Sequence, residues 1–285
     1  MLRLLYCLIA LLPSFCRGQA PSIHTYYEDL TLDLYQPTEA GDDLVLYVHG
    51  GGFSGGDRGE GRDLCTYLQE QGIACASITY TLSMQGRAED WSCDGILTEK
   101  LKTLQLAANE VWAATALLTG ADSPLPRTPE RVFLAGSSAG AEAVLHAAFY
   151  DRKELQLIEH ELGQDLRYAG IISGAGALVA TQLITEATVV PLLLLHGTAD
   201  PLVPYGAASH HYCAPDKSGW LMLFGAGALA DHLDTLKRGS YTLYTHPGAG
   251  HEIAGRYFHQ EYGVTLDFIR RVARGGRFRE RYVVE

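Results

Sequence analysis

Ser138 stands at the centre of a small-residue pattern, Gly-Ser-Ser-Ala-Gly at residues 136–140. An apolar run at residues 131–135 precedes the pattern, and a helix-like stretch at residues 139–150 follows it. Glycines two positions either side of a serine permit the tight strand-to-helix turn that lifts a nucleophilic hydroxyl out of a sheet. Because the chain has 31 glycines, the pattern alone is a frequent chance match, and its strand–turn–helix context carries the prediction.

Two further side chains could activate this hydroxyl. His251 lies in the sequence Gly-Ala-Gly-His after an apolar run at residues 241–244, and we predict that it is the general base. Asp200 follows the apolar run at residues 191–195, where a carboxylate could hold the imidazole in one orientation. His246 is the alternative candidate for the base, because it also lies at a predicted strand end.

The sequence His-Gly-Gly-Gly-Phe at residues 49–53 is the third chemical signal, and it follows the apolar run at residues 44–48. Glycines leave backbone N–H groups unobstructed, so this loop could present a preformed pair of donors to an oxyanion. A flexible turn or a phosphate-binding loop is the alternative, but the Gly-Lys-Ser/Thr ending of a P-loop is missing. We predict that His49 organises the loop rather than taking part in catalysis.

Elements that alternate between strand and helix are predicted to position these residues. Antiparallel strands are expected at residues 25–27 and 30–35. Buried parallel strands are expected at residues 44–48, 73–80, 131–135, 168–173, 191–195 and 241–244. Helices are expected at residues 62–71, 98–118, 139–150, 205–211 and 257–272. This alternation predicts one α/β domain, residues 21–285, with a mostly parallel central sheet flanked by helices and no large cap domain.

Two stretches fit this alternation less well, residues 81–95 and 216–234. The first follows a predicted strand and is a candidate wall of a substrate pocket. Trp91, Tyr80 and Tyr205 are candidates for the pocket lining, although aromatic side chains of the core have the same sequence appearance.

Residues 1–20 have the pattern of a cleaved secretory signal peptide, with Arg3 ahead of an apolar run and small residues near the end. The alternative is a buried N-terminal helix. Removal of this segment changes the net charge from −11 to −13, because it takes away two arginines and no acids (20 − 33). No other stretch is apolar enough to cross a membrane. We therefore expect a secreted or periplasmic protein with no membrane association after processing.

Composition excludes several functional classes. With 47% hydrophobic and 19% charged residues, the chain is not expected to be disordered, and its negative charge argues against a nucleic-acid partner. The four cysteines beyond the predicted signal peptide allow three full disulfide pairings, which the sequence does not distinguish. They lack a Cys-x-x-Cys spacing, so we expect no zinc site. These cysteines are Cys65, Cys75, Cys93 and Cys213.

Taken in order, these motifs resemble the α/β-hydrolase superfamily, and the His-Gly-Gly-Gly-Phe loop resembles that of carboxylesterases and hormone-sensitive-lipase-like esterases. The resemblance extends roughly from Tyr26 to Val272. It implies Ser138 as nucleophile, Asp200 as the orienting acid and His251 as base. An oxyanion hole is also implied, formed by the N–H groups of Gly51, Gly52 and Ala139.

The resemblance implies a serine esterase that acts on a small-molecule or glycan ester without a metal or an organic cofactor. Short acyl chains are expected, and acetylated carbohydrate is one candidate substrate. A serine peptidase-like hydrolase and a non-catalytic binding protein on the same fold are the alternatives. Ser137 precedes the nucleophile, where hormone-sensitive-lipase-like esterases usually carry an acid. The sequence around Asp200 is closer to dienelactone-hydrolase and peptidase-like relatives, so the subfamily stays open.

Overall fold

Strands from the whole described chain form two sheets in the computed structural model, which describes residues 20–39 and 41–285. Apart from Ala20, the predicted signal peptide lies outside the described residues. The strands are β1 Ser22–Tyr27, β2 Leu30–Tyr35, β3 Asp43–Val48, β4 Ala74–Ile78, β5 Arg131–Ser137, β6 Gly170–Gly174, β7 Ala177–Leu178, β8 Leu192–Gly197, β9 Ala207–Ser209, β10 Met222–Gly225, β11 Tyr241–His246 and β12 Arg279–Val283. The helices are α1 Arg62–Glu70, α2 Leu97–Thr119, α3 Ala139–Phe149, α4 Arg152–Leu155, α5 Ala226–Thr235, α6 Ile253–His259 and α7 Tyr262–Arg274.

The larger sheet has nine strands in the order β1-β2-β4-β3-β5-β6-β8-β11-β12. Strands β1 and β2 pair in the antiparallel sense, β2 also runs antiparallel to β4, and the other pairs are parallel. The sequences of the central strands are continuous apolar runs because helices cover both faces of the sheet. The predicted mostly parallel sheet flanked by helices is therefore confirmed.

Side chains alternate between two hydrophobic clusters on opposite faces of this sheet. In β3, for example, Leu44 and Leu46 belong to one cluster, whereas Val45 and Tyr47 belong to the other. Helices α2, α3 and α5 contribute to the first cluster, and helices α1, α6 and α7 contribute to the second. Each fully buried leucine of these clusters contributes about 1.5–3 kcal/mol to stability.

Parallel register brings the ends of several strands to one edge of the sheet. Val48 at the end of β3 pairs with Gly136 of β5, and Ser137 pairs with Gly174 of β6. In the same way His246 of β11 pairs with Gly197 of β8. The loops that follow β3, β5, β8 and β11 therefore all leave from this edge, and they carry the motifs identified in the sequence.

Two of the helix predictions are wrong in detail. Residues 205–211 do not form a helix, because Ala207–Ser209 is strand β9, which pairs with β10 through main-chain hydrogen bonds. A single turn of 3-10 helix follows at His210–Tyr212, and His211 in it has a left-handed backbone (φ 55°). The helix predicted at residues 257–272 is two helices, α6 and α7, which are separated at residues 260–261.

The structure selects one of the three disulfide pairings. Cys65 of α1 bonds to Cys75 of β4, which fixes that helix to the sheet. Cys93 bonds to Cys213 across a sequence separation of 120 residues, for which the chain-entropy model gives about 4–5 kcal/mol of stabilisation. This second bond joins the stretch at residues 81–95 to the segment after β9.

The residues predicted to lie outside the regular alternation, 216–234, contain β10 and most of α5. With β7 and β9, β10 forms a three-stranded antiparallel sheet of two- to four-residue strands. Among the helices of the described residues, none combines the length and the hydropathy needed to cross a bilayer.

Candidate active site

Ser138 occupies the turn between β5 and α3 in a strained backbone conformation (φ 52°, ψ −122°). A non-glycine residue in such a region costs on the order of 1–3 kcal/mol and persists only where its surroundings enforce it. Here the Ser138 N–H donates to the carbonyl of Gly174 at 2.7 Å, which anchors the turn to the neighbouring strand. The strain directs the hydroxyl away from the sheet at the beginning of a helix.

The glycines on either side of Ser138 are required by close backbone contacts. A Cβ atom on Gly136 would lie 2.4 Å from the carbonyl oxygen of Gly140. A Cβ atom on Gly140 would lie 2.1 Å from the carbonyl oxygen of Val48 at the end of β3. The turn can therefore pack against β3 only because both positions lack a side chain.

A continuous hydrogen-bond relay connects the three residues predicted to form the triad. Ser138 Oγ lies 2.7 Å from His251 Nε2, and His251 Nδ1 lies 2.7 Å from Asp200 Oδ2. The side chain of His251 is 22% exposed, whereas that of Asp200 is fully buried. The nucleophile and base thus reach the solvent-accessible side of the site, and the acid lies behind them.

Four donors surround the Asp200 carboxylate. Oδ1 accepts hydrogen bonds from the backbone N–H groups of Leu202 (2.9 Å) and Val203 (3.0 Å). Oδ2 faces His251 Nδ1 and also lies 3.3 Å from His196 Nε2. Burial by itself would raise the pKa of Asp200, but the hydrogen bonds from the two imidazoles and the backbone outweigh it and hold that pKa well below its usual range. Asp200 is therefore an anion at neutral pH.

The glycine loop lies against the nucleophile. A Cβ atom on Gly50 would be 3.3 Å from Ser138 Cβ, and the next two residues, Gly51 and Gly52, have positive φ angles of 101° and 60°. Neither glycine donates its N–H to another described residue. Ala139 begins α3, so its N–H is one of the helix donors that lack an intrahelical partner. These features are compatible with the oxyanion hole, which stays a prediction.

His49 is fully buried and its contacts are those of a loop-organising residue. Its ring stacks on Tyr80 with centroids 4.4 Å apart, and its Nδ1 donates to the carbonyl of Gly50 at 2.8 Å. The Tyr80 hydroxyl donates to the carbonyls of His49 and Gly50, so the ring and hydroxyl together fix the loop entry. The alternative base His246 lies elsewhere, with its Nε2 2.8 Å from the hydroxyl of Tyr257.

Trp91 forms a wall beside the glycine loop. Its indole lies 3.8 Å from the position that a Cβ on Gly52 would occupy, and its ring packs edge-on against Phe53. On the other side it contacts the ring of His210, at a centroid distance of 5.2 Å. The Cys93–Cys213 disulfide joins the two segments that carry these rings, so it fixes the wall covalently.

Several buried polar residues near the site were not identified from the sequence. Lys100 is fully buried in α2, where its Nζ donates to the carbonyl of Gly219 at 2.7 Å and lies 3.4 Å from His210 Nδ1. Glu142 is buried one turn after Ser138 in α3. Burial lowers the pKa of Lys100 to about 8 and raises that of Glu142 to about 8. Charged residues in a helical pattern predict a solvated face, so the sequence carried no signal for their burial.

Within residues 20–39 and 41–285, no group of three or more histidine, cysteine or acidic side chains is arranged to hold a metal ion.

Comparison with known proteins places this fold in a family. Residues 45–188, just over half of the chain, match the profile of a family described by the alpha/beta hydrolase fold. The matched range includes both the glycine loop and Ser138. The chain belongs to this family. No curated protein matches this α/β-hydrolase in sequence.

Solved structures with the same fold as this α/β-hydrolase include two esterases. Esterase 2 from Thermogutta terrifontis has a TM-score of 0.60 in both its paraoxon-phosphorylated and its apo form, at 15% and 16% identity, and each alignment covers 88% of this chain and 92% of that one. Esterase B from Lactobacillus Rhamnosis (HN001) has a TM-score of 0.58 at 18% identity, with coverage of 90% and 86%. At these identities the likeness shows the fold alone.

Proposed function

We propose that this α/β-hydrolase is a serine esterase that hydrolyses carboxylic esters through an acyl-enzyme. The observation that carries the proposal is the relay from Ser138 through His251 to the buried Asp200, with both hydrogen bonds at 2.7 Å. A hydroxyl is a weak nucleophile at its ordinary pKa, and this arrangement supplies the adjacent base that it needs. The third residue fixes that base in the required tautomer.

The mechanism follows from which nitrogen of His251 faces which partner. Nδ1 donates its proton to Asp200, so Nε2 carries the lone pair and can accept the Ser138 proton as Oγ attacks the ester carbonyl. The imidazolium formed is stabilised by the Asp200 anion. It then returns the proton to the departing alcohol, and a water molecule activated in the same way hydrolyses the acyl-enzyme.

Negative charge on the carbonyl oxygen needs donors during this reaction. We infer that the N–H groups of Gly51, Gly52 and Ala139 supply them, since the two glycines lie on the loop that packs against Ser138 and Ala139 follows Ser138 as the first residue of α3. Deletion of one such donor in other enzymes costs about 2.7–4 kcal/mol of barrier. The beginning of α3 adds the favourable end of its helix dipole to the same position.

The esterase proposal is supported by the compounds found in structures of a protein with a similar fold. Structures of Thermogutta terrifontis esterase 2 are described with propionate and with butyrate bound. Another structure of that protein is described as phosphorylated by paraoxon. By analogy, esters of short carboxylic acids and organophosphates are the compounds to try first on the present chain.

The test is hydrolysis of p-nitrophenyl acetate by the purified protein, followed by labelling with a fluorophosphonate probe. We expect turnover and stoichiometric labelling at Ser138. Labelling without turnover of p-nitrophenyl acetate or of acetylated sugars, together with cleavage of a peptide anilide, would favour the peptidase alternative. If the protein shows no labelling and no turnover, the result favours a binding protein.

Trp91 is expected to limit the length of the acyl chain. The leaving oxygen must face His251 Nε2 to receive its proton, and we infer that the acyl group then lies on the side of the glycine loop, toward Trp91. For Trp91→Ala, we expect the ratio of kcat/KM for p-nitrophenyl octanoate to that for the acetate to rise at least about 10-fold, which is the scale of one or two methylenes in a pocket. Trp91→Phe, which keeps an aromatic wall, should retain a preference for acetate. An unchanged ratio in the alanine variant would remove Trp91 from the acyl pocket.

We also infer that the protein is exported. The support is the signal-peptide pattern of residues 1–20 together with two disulfides, which persist in oxidising compartments. Expression of the full chain in a secreting host should give extracellular or periplasmic protein that begins close to residue 21, as read by intact mass and N-terminal sequencing. A cytoplasmic product that retains Met1 would contradict export.

A further inference from the structure

His196, at the C-terminal end of β8, is a second imidazole on the Asp200 carboxylate. Its side chain is completely buried, and its Nε2 lies 3.3 Å from Asp200 Oδ2 and 3.1 Å from the carbonyl oxygen of Val203. Its Nδ1 is also buried and has no hydrogen-bond partner among the described residues. The ring is further enclosed by Tyr205, at a centroid distance of 5.8 Å.

These contacts determine the protonation state of the ring. Both neighbours of Nε2 are acceptors, so Nε2 must carry the hydrogen. A proton on Nδ1 as well would create a buried N–H without an acceptor, which costs more than an unpaired lone pair on a neutral ring. His196 is therefore a neutral ring whose Nε2–H is shared between the Val203 carbonyl, which is the closer acceptor, and Oδ2 of Asp200.

We propose that His196 is a positioning residue of the triad, a neutral donor that holds the Asp200 carboxylate and takes up part of its charge. The proposal rests on the proposed esterase function for its kinetic consequences, although the hydrogen-bond arrangement itself does not. Backbone donors hold only Oδ1, so His196 is the one donor besides His251 that the described structure places on Oδ2. It thereby sets both the direction and the charge of the oxygen that faces His251.

This role predicts the direction of a pH effect. If the His196 donor is lost, more negative charge remains on Oδ2, and the imidazolium form of His251 is favoured. At low pH kcat/KM falls because the base becomes protonated, and we call this part of the pH profile the acid limb. The acid limb then moves to higher pH. Loss of structure alone would separate Asp200 from His251 and move the limb the other way or leave it in place.

Other titratable groups interact electrostatically with Asp200 and His251, and their charges must be the same in the variants that are compared. The electrostatic partners of Asp200 and His251 include Glu142 from α3, Glu252 next to His251, and His210, His211 and Tyr212 from the segment after β9. Lys100 from α2 acts in turn on Glu142, His210 and His211. Burial lowers the pKa of His211 to about 4 and holds that of His210 well below its usual value, so both rings are neutral across the assay range.

The experiment compares His196→Leu with His196→Gln, whose amide can place an N–H near the position of Nε2. For the leucine variant, we expect the pH-independent kcat/KM for p-nitrophenyl acetate to fall about 10- to 100-fold, the scale of one hydrogen bond to a charged group. Its acid limb should move upward by about half a pH unit. The glutamine variant should recover most of the wild-type kcat/KM, and its acid limb should lie at the wild-type pH.

His246→Leu is the matched control, because His246 is a buried histidine at the end of the adjacent strand β11 and bonds to Tyr257 instead. Its acid limb should stay at the wild-type position even if stability falls. The proposal is overturned if His196→Leu keeps the wild-type rate and limb, if its limb moves downward, or if the glutamine variant behaves like the leucine variant.

Nitrogen NMR gives a readout that does not depend on turnover. In Ser138→Ala protein with labelled histidine, we expect the His196 signals of a ring that carries its hydrogen on Nε2 and none on Nδ1. A His196 ring that carries its hydrogen on Nδ1 would overturn the proposal. An inactive wild-type protein with the expected His196 signals would instead refute the esterase function and leave the arrangement of His196 intact.

Discussion

Replacement of Ser138 by alanine is expected to lower kcat for p-nitrophenyl acetate by about 10⁶-fold, the scale seen when a serine nucleophile is removed elsewhere. Without Oγ, no acyl-enzyme can form, and His251 has no hydroxyl to deprotonate. The fold should persist, because the backbone bond from residue 138 to Gly174 does not involve the side chain. Residual hydrolysis would come only from the backbone donors and from substrate binding.

Ser137→Ala is the matched control, since Ser137 is the adjacent serine and, among the described residues, its Oγ has one hydrogen bond, which it accepts from the Tyr47 hydroxyl at 3.4 Å. Steady-state kinetics, fluorophosphonate labelling and thermal unfolding should be measured on both variants. We expect Ser137→Ala to retain labelling and turnover, and Ser138→Ala to lose both at an unchanged unfolding temperature. Labelling that persists in Ser138→Ala would place the nucleophile elsewhere and refute the assignment.

The parts of the site that follow from short-range patterns could be predicted from the sequence. Ser138, Asp200 and His251 each follow an apolar run, and parallel pairing brings the ends of those runs to one edge. The glycines around Ser138 are required by local backbone approach. Such features depend on residues close in the chain, so a single sequence contains them.

The sequence proposed residues 81–95 and Trp91 as a pocket wall, but it could not predict what this stretch packs against, because those contacts join distant segments. The stretch that carries Trp91 meets the segment of His210 only after the chain has folded, and the disulfide joining them spans 120 residues. The helix predicted at residues 205–211 failed for the same reason, since pairing with β10 overrides local preference. The residues that surround the substrate are thus harder to predict from the sequence than the catalytic residues.

Buried charges were the second kind of feature that the sequence did not reveal. Lys100 in α2 and Glu142 in α3 look like solvated helix positions, yet both are buried beside the site. Glu142 Oε1 has no hydrogen-bond partner among the described residues, although the positive charge of Lys100 acts on it. Their burial depends on tertiary packing, of α2 against α3 for both residues and of α2 against the segment with His210 and Gly219 for Lys100.

The conversion of Asp200 to asparagine is expected to lower kcat by about 10⁴-fold near neutral pH, as a change of imidazole tautomer does in the serine protease triad. The two backbone N–H groups at Oδ1 require an acceptor there, so the amide oxygen takes that position. The amide nitrogen then occupies the position of Oδ2 and donates to His251 Nδ1. This moves the ring proton of His251 to Nε2, which can no longer accept the proton of Ser138.

The same geometry separates a tautomer effect from simple loss of structure. The pKa of Asp200 lies below that of an unfolded aspartate, so its charge contributes stability above the unfolded value of about 3.9, and this contribution is lost as the pH falls through the folded pKa. Asp200→Asn should therefore be less stable than the wild type at neutral pH, and the gap should narrow toward low pH in urea titrations. Asp216→Asn, at an exposed position between Ser138 and His251 in the chain, should change neither rate nor stability. If Asp200→Asn keeps kcat within about tenfold of the wild type, the carboxylate does not set the tautomer, and His251 must be held by other contacts.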